Sequence, residues 1–277
     1  MNKEVISVKK SDGTSESLDI MKIQKMTQEA CKDLSGVSSS QVEMNTGIQF
    51  FDGITTRDIQ KILVKSASDL ISLENPNYEY VAARLLLYGL RKQVFGRFEY
   101  PRLKDLVKEN IERGVYNKDL INYYDDAEWN KLEKFIDHDR DYLFTYAGLQ
   151  QVVDKYLIQD RSSGEIYETP QFMYLLVAAT LFAQYPKESR LSYVKKYYNA
   201  ISRFKINIPT PVLAGVRTPI RQFASCVLVD VDDTLDSIFN SDSAIGYYVS
   251  MRAGIGINSG RVRGINSKIR GGEVQHT

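Results

Sequence analysis

Residues 225–258 read SCVLVDVDDTLDSIFNSDSAIGYYVSMRAGIGIN, and this stretch sets the fold class. Ser225 to Val231 is a short apolar run closed by Asp232-Asp233-Thr234, which predicts a buried strand. Leu235 to Ala253 carries apolar residues at helical spacing, and Gly254 to Asn258 returns to an extended run. Strand, helix, strand with apolar strands is the opening of an α/β layer. Two strands close neither a sheet nor a barrel, so this C-terminal portion reads as the start of a larger domain.

Upstream the grammar changes. Pro209-Thr210-Pro211 breaks a mostly helical region that runs from Pro101 to about Phe204. Within it Thr169-Pro170 is a helix start with proline at the first position, and Pro186 stops that helix. YLIQDRSSGEIY, residues 156–167, reads as a small hairpin, and Tyr142, Tyr146, Tyr193, Tyr197 and Tyr198 read as half-buried packing. The first 95 or so residues form an α+β module. A strand from Val5 to Lys9, the turn Ser11-Asp12-Gly13 and a strand from Thr14 to Leu18 predict a hairpin. Asp19 caps a helix carrying Ile23, Met26, Ala30 and Leu34, and a short helix follows around Gln41 to Phe50. Thr55 or Thr56 caps the next helix, Asn75-Pro76 interrupts it, and Tyr78 to Gln93 resumes up to a boundary at Gly96.

Composition narrows the function. The 277 residues allow one to three domains and a sizeable core. Lys+Arg 36 against Asp+Glu 35 leaves +1, which argues against a broad nucleic-acid or anionic-membrane surface. No apolar signal segment opens the chain, and the run from Phe172 to Ala183 has the length of a core helix rather than a bilayer span. Two cysteines, Cys31 and Cys226, offer no disulfide framework. The expectation is a cytoplasmic protein, in the host cytoplasm if viral, that binds neither membrane nor nucleic acid.

Few motifs stand out on residue type alone. IDHDRD at 136–141 offers Asp137, His138, Asp139 and Asp141, but neighbours on a helix fan apart; the reading is a solvated or salt-bridged face and no metal site. GIGINSG at 254–260 lacks the strand-before, helix-after context of a dinucleotide loop. Cys31 sits on an amphipathic helix as a small hydrophobe. Cys226 opens a strand, where α/β proteins place ligands, so packing residue and functional thiol both stand. Arg263 and Arg270 flank a Gly/Asn/Ser turn, and spacing alone favours a solvated basic loop over a phosphate site.

Seven stretches change that assessment: IQFFDGITTRDIQ (48–60), YVAARLLLYGLRK (80–92), FIDHDRD (135–141), GEIYETPQF (164–172), TPVLAGVRTPIRQFASCVLVD (210–230), DDTLDSI (232–238) and RAGIGINSGRVRGINSKIRGGEVQHT (252–277). In this order and spacing the chain resembles the N-terminal portion of the class I ribonucleotide reductase large (alpha, catalytic) subunit, up to a point before the radical cysteine. The fold class this implies is mainly α with α/β. Residues 1–96 would be an ATP-cone regulatory domain (β-hairpin plus four helices), 97–221 a helical domain, and 222–277 the first strands of a ten-stranded α/β barrel. The family reduces ribonucleoside diphosphates, with a thiyl radical abstracting the 3′-hydrogen and a cysteine pair supplying the reducing equivalents.

The resemblance also implies roles. Cys226 matches one member of the reducing pair, and Thr210, Ser225 and Gly254 match positions that hold the substrate diphosphate and ribose. Asp233, Thr234, Leu235, Arg263 and Arg270 match the allosteric specificity site, and the helix from Leu235 matches part of a dimer interface. In the cone, Lys10, Glu16, Ser17, Leu18, Asp19, Ile20, Met21, Lys22, Thr56 and Lys92 match the activity site, which takes ATP or dATP. Two positions depart from that pattern: Glu29 stands where well-regulated members carry Trp, and Gly89 where they carry His. The expected partners are a second polypeptide carrying the rest of the large subunit, a small metal-containing subunit that supplies the radical, thioredoxin or glutaredoxin, and a second copy of the assembled large subunit. The expected ligands are ATP and deoxynucleoside triphosphate effectors with no covalent cofactor, and the chain alone should not turn over. The alternative is a non-catalytic nucleotide-binding regulatory module.

Overall fold

The computed structural model describes residues 6–10, 12–47, 50–220, 222–251, 253–269 and 274–275. Contacts gather these residues into two units, Met1–Asn207 and Ile208–Thr277.

The first unit opens with β1 (Ser7–Lys9) and β2 (Ser15–Ser17), an antiparallel hairpin with Val8 opposite Glu16. Asp12 shapes its turn by accepting from the Thr14 amide and hydroxyl, and Gly13 takes the φ of 85° that the reversal requires. Then come α1 (Ile20–Cys31), α2 (Ser39–Gly47), β3 (Ile54–Thr55), α3 (Thr56–Ser68) and α4 (Tyr78–Phe95). β3 was not expected from the sequence. Its two residues pair in parallel with β1, giving the order β2-β1-β3, and no periodicity is visible over so short a run. The caps follow the residue types: the Asp19 side chain accepts from the Met21 amide, and Thr55 rather than Thr56 accepts from the Asp58 amide. Gly96, at φ 68°, ends α4 with its N–H on the Lys92 carbonyl. The apolar stripes, among them Ile23, Ala30, Ile59, Leu63, Ala67, Val81 and Leu85, meet Val8 and Ile54 of the sheet in one core.

The unit continues with α5 (Leu103–Glu112), α6 (Asp126–Glu133), α7 (Tyr146–Gln151), the hairpin β4 (Gln159–Asp160)/β5 (Glu165–Ile166), α8 (Pro170–Leu181) and α9 (Lys187–Ile201). α6 starts in a full capping box, Asp125 and Glu128 each bonding the other's backbone N–H. α8 is buried on every side from Pro170 to Ala179, as its uninterrupted apolar run requires. No helix among the described residues is long and apolar enough to cross a membrane. The IDHDRD stretch departs from expectation in part: Asp137 and Asp139 are exposed and Asp137 pairs with Arg140 at 3.1 Å, as a salt-bridged face requires. It forms a 3-10 turn, His138–Leu143, and Arg140 and Asp141 are buried instead of solvated, because Gln171, Tyr198 and Ser202 offer polar partners inside the helix packing.

The second unit holds α10 (Thr210–Gly215), β6 (Cys226–Asp230), α11 (Leu235–Ser250), β7 (Gly254–Asn258), β8 (Lys268–Ile269) and β9 (Val274–Gln275). β6 and β7 pair in parallel across α11, in register from Cys226↔Gly254 to Asp230↔Asn258, so the strand–helix–strand reading holds. The expected burial of β6 does not. Leu228 is 88% exposed, because within this chain β6 is flanked by β7 and α11 while Cys226, Leu228 and Asp230 face solvent. β8 and β9 form an unanticipated antiparallel pair. The described residues are mainly helical, with one short mixed sheet, two small antiparallel ladders and the opening of an α/β layer among them.

Candidate functional site

Parallel pairing brings Ser225, Cys226 and Gly254 together at the N-terminal ends of β6 and β7. The Gly254 amide donates to the Ser225 carbonyl at 2.8 Å. A Cβ at 254 would lie 3.5 Å from that carbonyl and 3.7 Å from the Cys226 Sγ, so the glycine leaves the thiol open to one side. Cys226 is an exposed free thiol. Cys31 is half-buried, and burial pushes its thiol up to about 11, which removes it from nucleophilic chemistry. Thr210 stands apart, exposed at the first residue of α10, with no hydrogen bond to these three residues.

A second cluster joins the end of β6 to the loop after β7. The Arg263 Nε donates to both Asp233 carboxylate oxygens, at 2.9 and 2.7 Å, and its backbone N–H reaches Asp233 Oδ1 at 3.2 Å. Thr234 caps α11 by accepting from the Ser237 amide at 3.1 Å, and Leu235, the first helical residue, is exposed. Arg270 lies outside the described residues. Sequence reasoning passed over the rest of the cluster: Arg261 reaches Asp232 at 3.1 Å and Asp230 at 3.6 Å, and Asn258 donates to Asp230 at 2.8 Å. The signal was compositional: three carboxylates within Asp230–Asp233 and two arginines, Arg261 and Arg263, close after the next strand.

The cone residues form the third group. Val8 and Glu16 are cross-strand partners, and Lys9 pairs with Thr55, so Lys10, Glu16 and Thr56 share one end of the small sheet. Lys10 contacts Glu16 at 2.6 Å and Lys22 contacts it at 3.2 Å; these ammonium groups hold the Glu16 carboxyl below its usual range. Lys22 also lies 4.0 Å from Asp19, the α1 cap. Ser17 lies in β2, Leu18 donates its N–H to the Ile6 carbonyl, and Ile20 and Met21 are exposed on the first turn of α1. Thr56 is exposed at the start of α3, and the Lys92 ammonium stands 4.8 Å over the Phe98 ring. α3 and α4 meet where Gln60 crosses Gly89. A Cβ on residue 89 would approach the Gln60 Cγ to 2.7 Å, and the Gln60 amide donates to the Leu85 carbonyl at 2.5 Å. Gln60 is one turn after Thr56 and Gly89 one turn before Lys92, so this contact sets the Thr56 and Lys92 faces side by side. Glu29 is exposed, 4.0 Å from Lys32.

No group of three or more His, Cys, Asp and Glu among the described residues converges on a metal position. An open depression in the helical region, lined by residues including Lys104, Lys108, Asp125, Lys187 and Arg190, contains none of the residues singled out from the sequence.

The described residues thus combine a small α/β module whose lysines meet a strand carboxylate, a helical region, and a parallel strand pair that opens on an exposed thiol. Family models agree with each part: the ATP cone domain matches residues 6–93, the ribonucleotide reductase all-alpha domain 142–221, and the ribonucleotide reductase barrel domain 224–277. The chain belongs to the ribonucleotide reductase large-subunit family, of which it represents the N-terminal part. Over all 277 residues it is 52% identical to ribonucleoside-diphosphate reductase subunit alpha of Haemophilus influenzae and 52% identical to ribonucleoside-diphosphate reductase 1 subunit alpha of Escherichia coli K12. It is 43% identical, over 276 residues, to ribonucleoside-diphosphate reductase subunit alpha of Enterobacteria phage T4. The similarity covers 99–100% of this chain but 36% of each relative, so the chain spans about a third of their length.

Proposed function

We propose that this chain contributes the regulatory cone, the specificity cluster and one redox-active cysteine to a ribonucleoside-diphosphate reductase, whose remaining active-site groups come from protein outside residues 1–277. In the overall reaction the substrate's 2′-hydroxyl leaves as water and a hydrogen takes its place. Two thiols become a disulfide and provide the two electrons. Cys226 is one of these thiols. Its partner and the radical cysteine lie outside residues 1–277, and these residues alone do not turn over. Ser225 and Gly254 border Cys226 and, with Thr210, hold the substrate diphosphate and ribose through hydroxyl and backbone donors. Asp233, Thr234, Leu235, Arg263 and Arg270 receive a deoxynucleoside triphosphate or ATP. Lys10, Glu16, Ser17, Leu18, Asp19, Ile20, Met21, Lys22, Thr56 and Lys92 take an adenine nucleotide in the cone. A small metal-containing subunit supplies the radical, thioredoxin or glutaredoxin restores the thiols, and α11 contributes to a dimer of the assembled large subunit, in the cytoplasm.

The observation that carries this reading is the exposed Cys226 thiol beside Gly254 and Ser225 at paired strand ends. A stand-alone sensor has no use for that arrangement. Cys226→Ser in the assembled enzyme should abolish multiple turnover with an external reductant while leaving assembly intact by sedimentation. Full turnover by that variant removes Cys226 from the reaction.

A further inference from the structure

The IDHDRD stretch has no task in the reductase reading, yet its setting is unusual. Asp141 is 1% exposed. One carboxyl oxygen accepts from the Gln171 side-chain amide at 2.8 Å, and the other has no protein partner. Arg140 beside it turns away, to Asp137 at 3.1 Å and to the Ser202 hydroxyl at 2.6 Å. His138 stacks on Tyr100 with ring centroids 3.4 Å apart and 5° between planes, and its buried Nδ1 also lacks a partner. Arg91 of α4 stands over the same Tyr100 ring at 4.6 Å. A buried carboxyl and a buried imidazole, three residues apart on one 3-10 turn and each with an unpartnered polar atom, therefore pack against α4, whose Arg91 acts electrostatically on both, and no ion pair joins the three among the described residues. Thr169, one residue before α8, adds another buried hydroxyl without a partner.

An isolated buried carboxylate is costly, and so is an isolated buried imidazolium; each group escapes the cost by becoming neutral. We propose that Asp141 and His138 are a buried proton couple: folding leaves the carboxyl protonated and the imidazole neutral, and loss of the Asp141 proton loosens the seat of α4 by drawing Arg91 off the Tyr100 ring. Facing Asp141 are Arg91 from α4, Asp137 and Asp139 from its own turn, Tyr100, Tyr174 of α8 and Tyr198 of α9. Burial dominates, raising Asp141 to about 7 against the opposing effects of Gln171 and Arg91; burial and then Arg91 lower His138 to about 4.

The signs follow. A carboxyl raised in the fold stabilises at low pH and loses that contribution as pH rises from about 4 to about 7. An imidazole lowered in the fold stabilises at high pH and loses that contribution as pH falls from about 6.5 to about 4. Between about 4 and 6.5 the two slopes cancel, since folded and unfolded states bind equal numbers of protons at these two sites. Above that window only the Asp141 loss remains.

The test is urea unfolding of the 277-residue chain and of Asp141→Asn from pH 5 to 8, with amide exchange in α4 corrected for its intrinsic pH dependence. The midpoint difference should move in favour of the variant as pH rises, and α4 of the wild type alone should exchange faster above neutrality. Parallel midpoint curves mean an ionised Asp141 and overturn the couple; matched α4 exchange overturns the seat. Should the variant not fold, carboxyl carbon NMR of the wild type decides: an Asp resonance titrating near neutral pH supports the proposal, and its absence sinks it.

Discussion

Arg263 and Asp233 hold each other through a two-oxygen contact, and both are about one-third exposed. In the proposed reading an effector triphosphate at this site has to share the guanidinium with a carboxylate already in place. Removing the arginine leaves that carboxylate alone beside the phosphates. Arg263→Ala should therefore weaken effector binding to the assembled enzyme by on the order of tenfold or more. Titration calorimetry at fixed ionic strength measures this, and an unchanged affinity excludes Arg263. At this scale the sequence was only partly legible. Cys226 was visible as a thiol at a strand start, and Arg263 as one of two basic residues near a turn. Its pairing with Asp233, 30 residues away, depends on the β6–β7 register, and nothing local encodes that. Asp141 was misread for the same reason: a charged hexapeptide signals solvent, and only the partners arriving from α8 and α9 make its burial tolerable.

The junction of β3 and α3 separates two adjacent threonines by task. Thr55 is the cap, accepting from the Asp58 amide at 3.0 Å and donating to its carboxylate at 2.7 Å, while Thr56 is an exposed first-turn residue. Thr55→Ala should cost about 1 kcal/mol of cone stability in urea unfolding, the usual value of a lost helix cap. Thr56→Ala should leave stability nearly unchanged and lower ATP affinity in equilibrium binding. The reverse pattern would exchange the two roles. Helices were the most legible elements because their signals are local: Asp19 and Thr55 as caps, Pro170 at a first position, Gly96 past an end. Strands were less so. β3 is defined by its pairing with β1 rather than by composition, and β8 and β9 are two residues each.

For the whole molecule, the question is whether the cone can act as a switch. A ligand shifts activity only through unequal affinity for two states. In the proposed reading Lys10, Lys22, Thr56 and Lys92 provide charge and a hydroxyl for a triphosphate, but Glu29 and Gly89 provide neither an aromatic face nor an imidazole to tell dATP from ATP. The assembled enzyme should accordingly stay active as dATP rises with the specificity site saturated. A steep fall to near-zero rate at micromolar dATP would assign the discrimination to other cone residues.

The Gln60–Gly89 contact also gives sequence change in this cone a direction. A side chain cannot enter position 89 while Gln60 holds the Leu85 carbonyl, because its first carbon would already overlap the Gln60 stem. The Gln60 side chain has to swing away or be replaced first, and either step surrenders its hydrogen bond to Leu85. Any side chain at 89 therefore carries the loss of that hydrogen bond, so the glycine is held in place by its neighbour as much as by its own conformation.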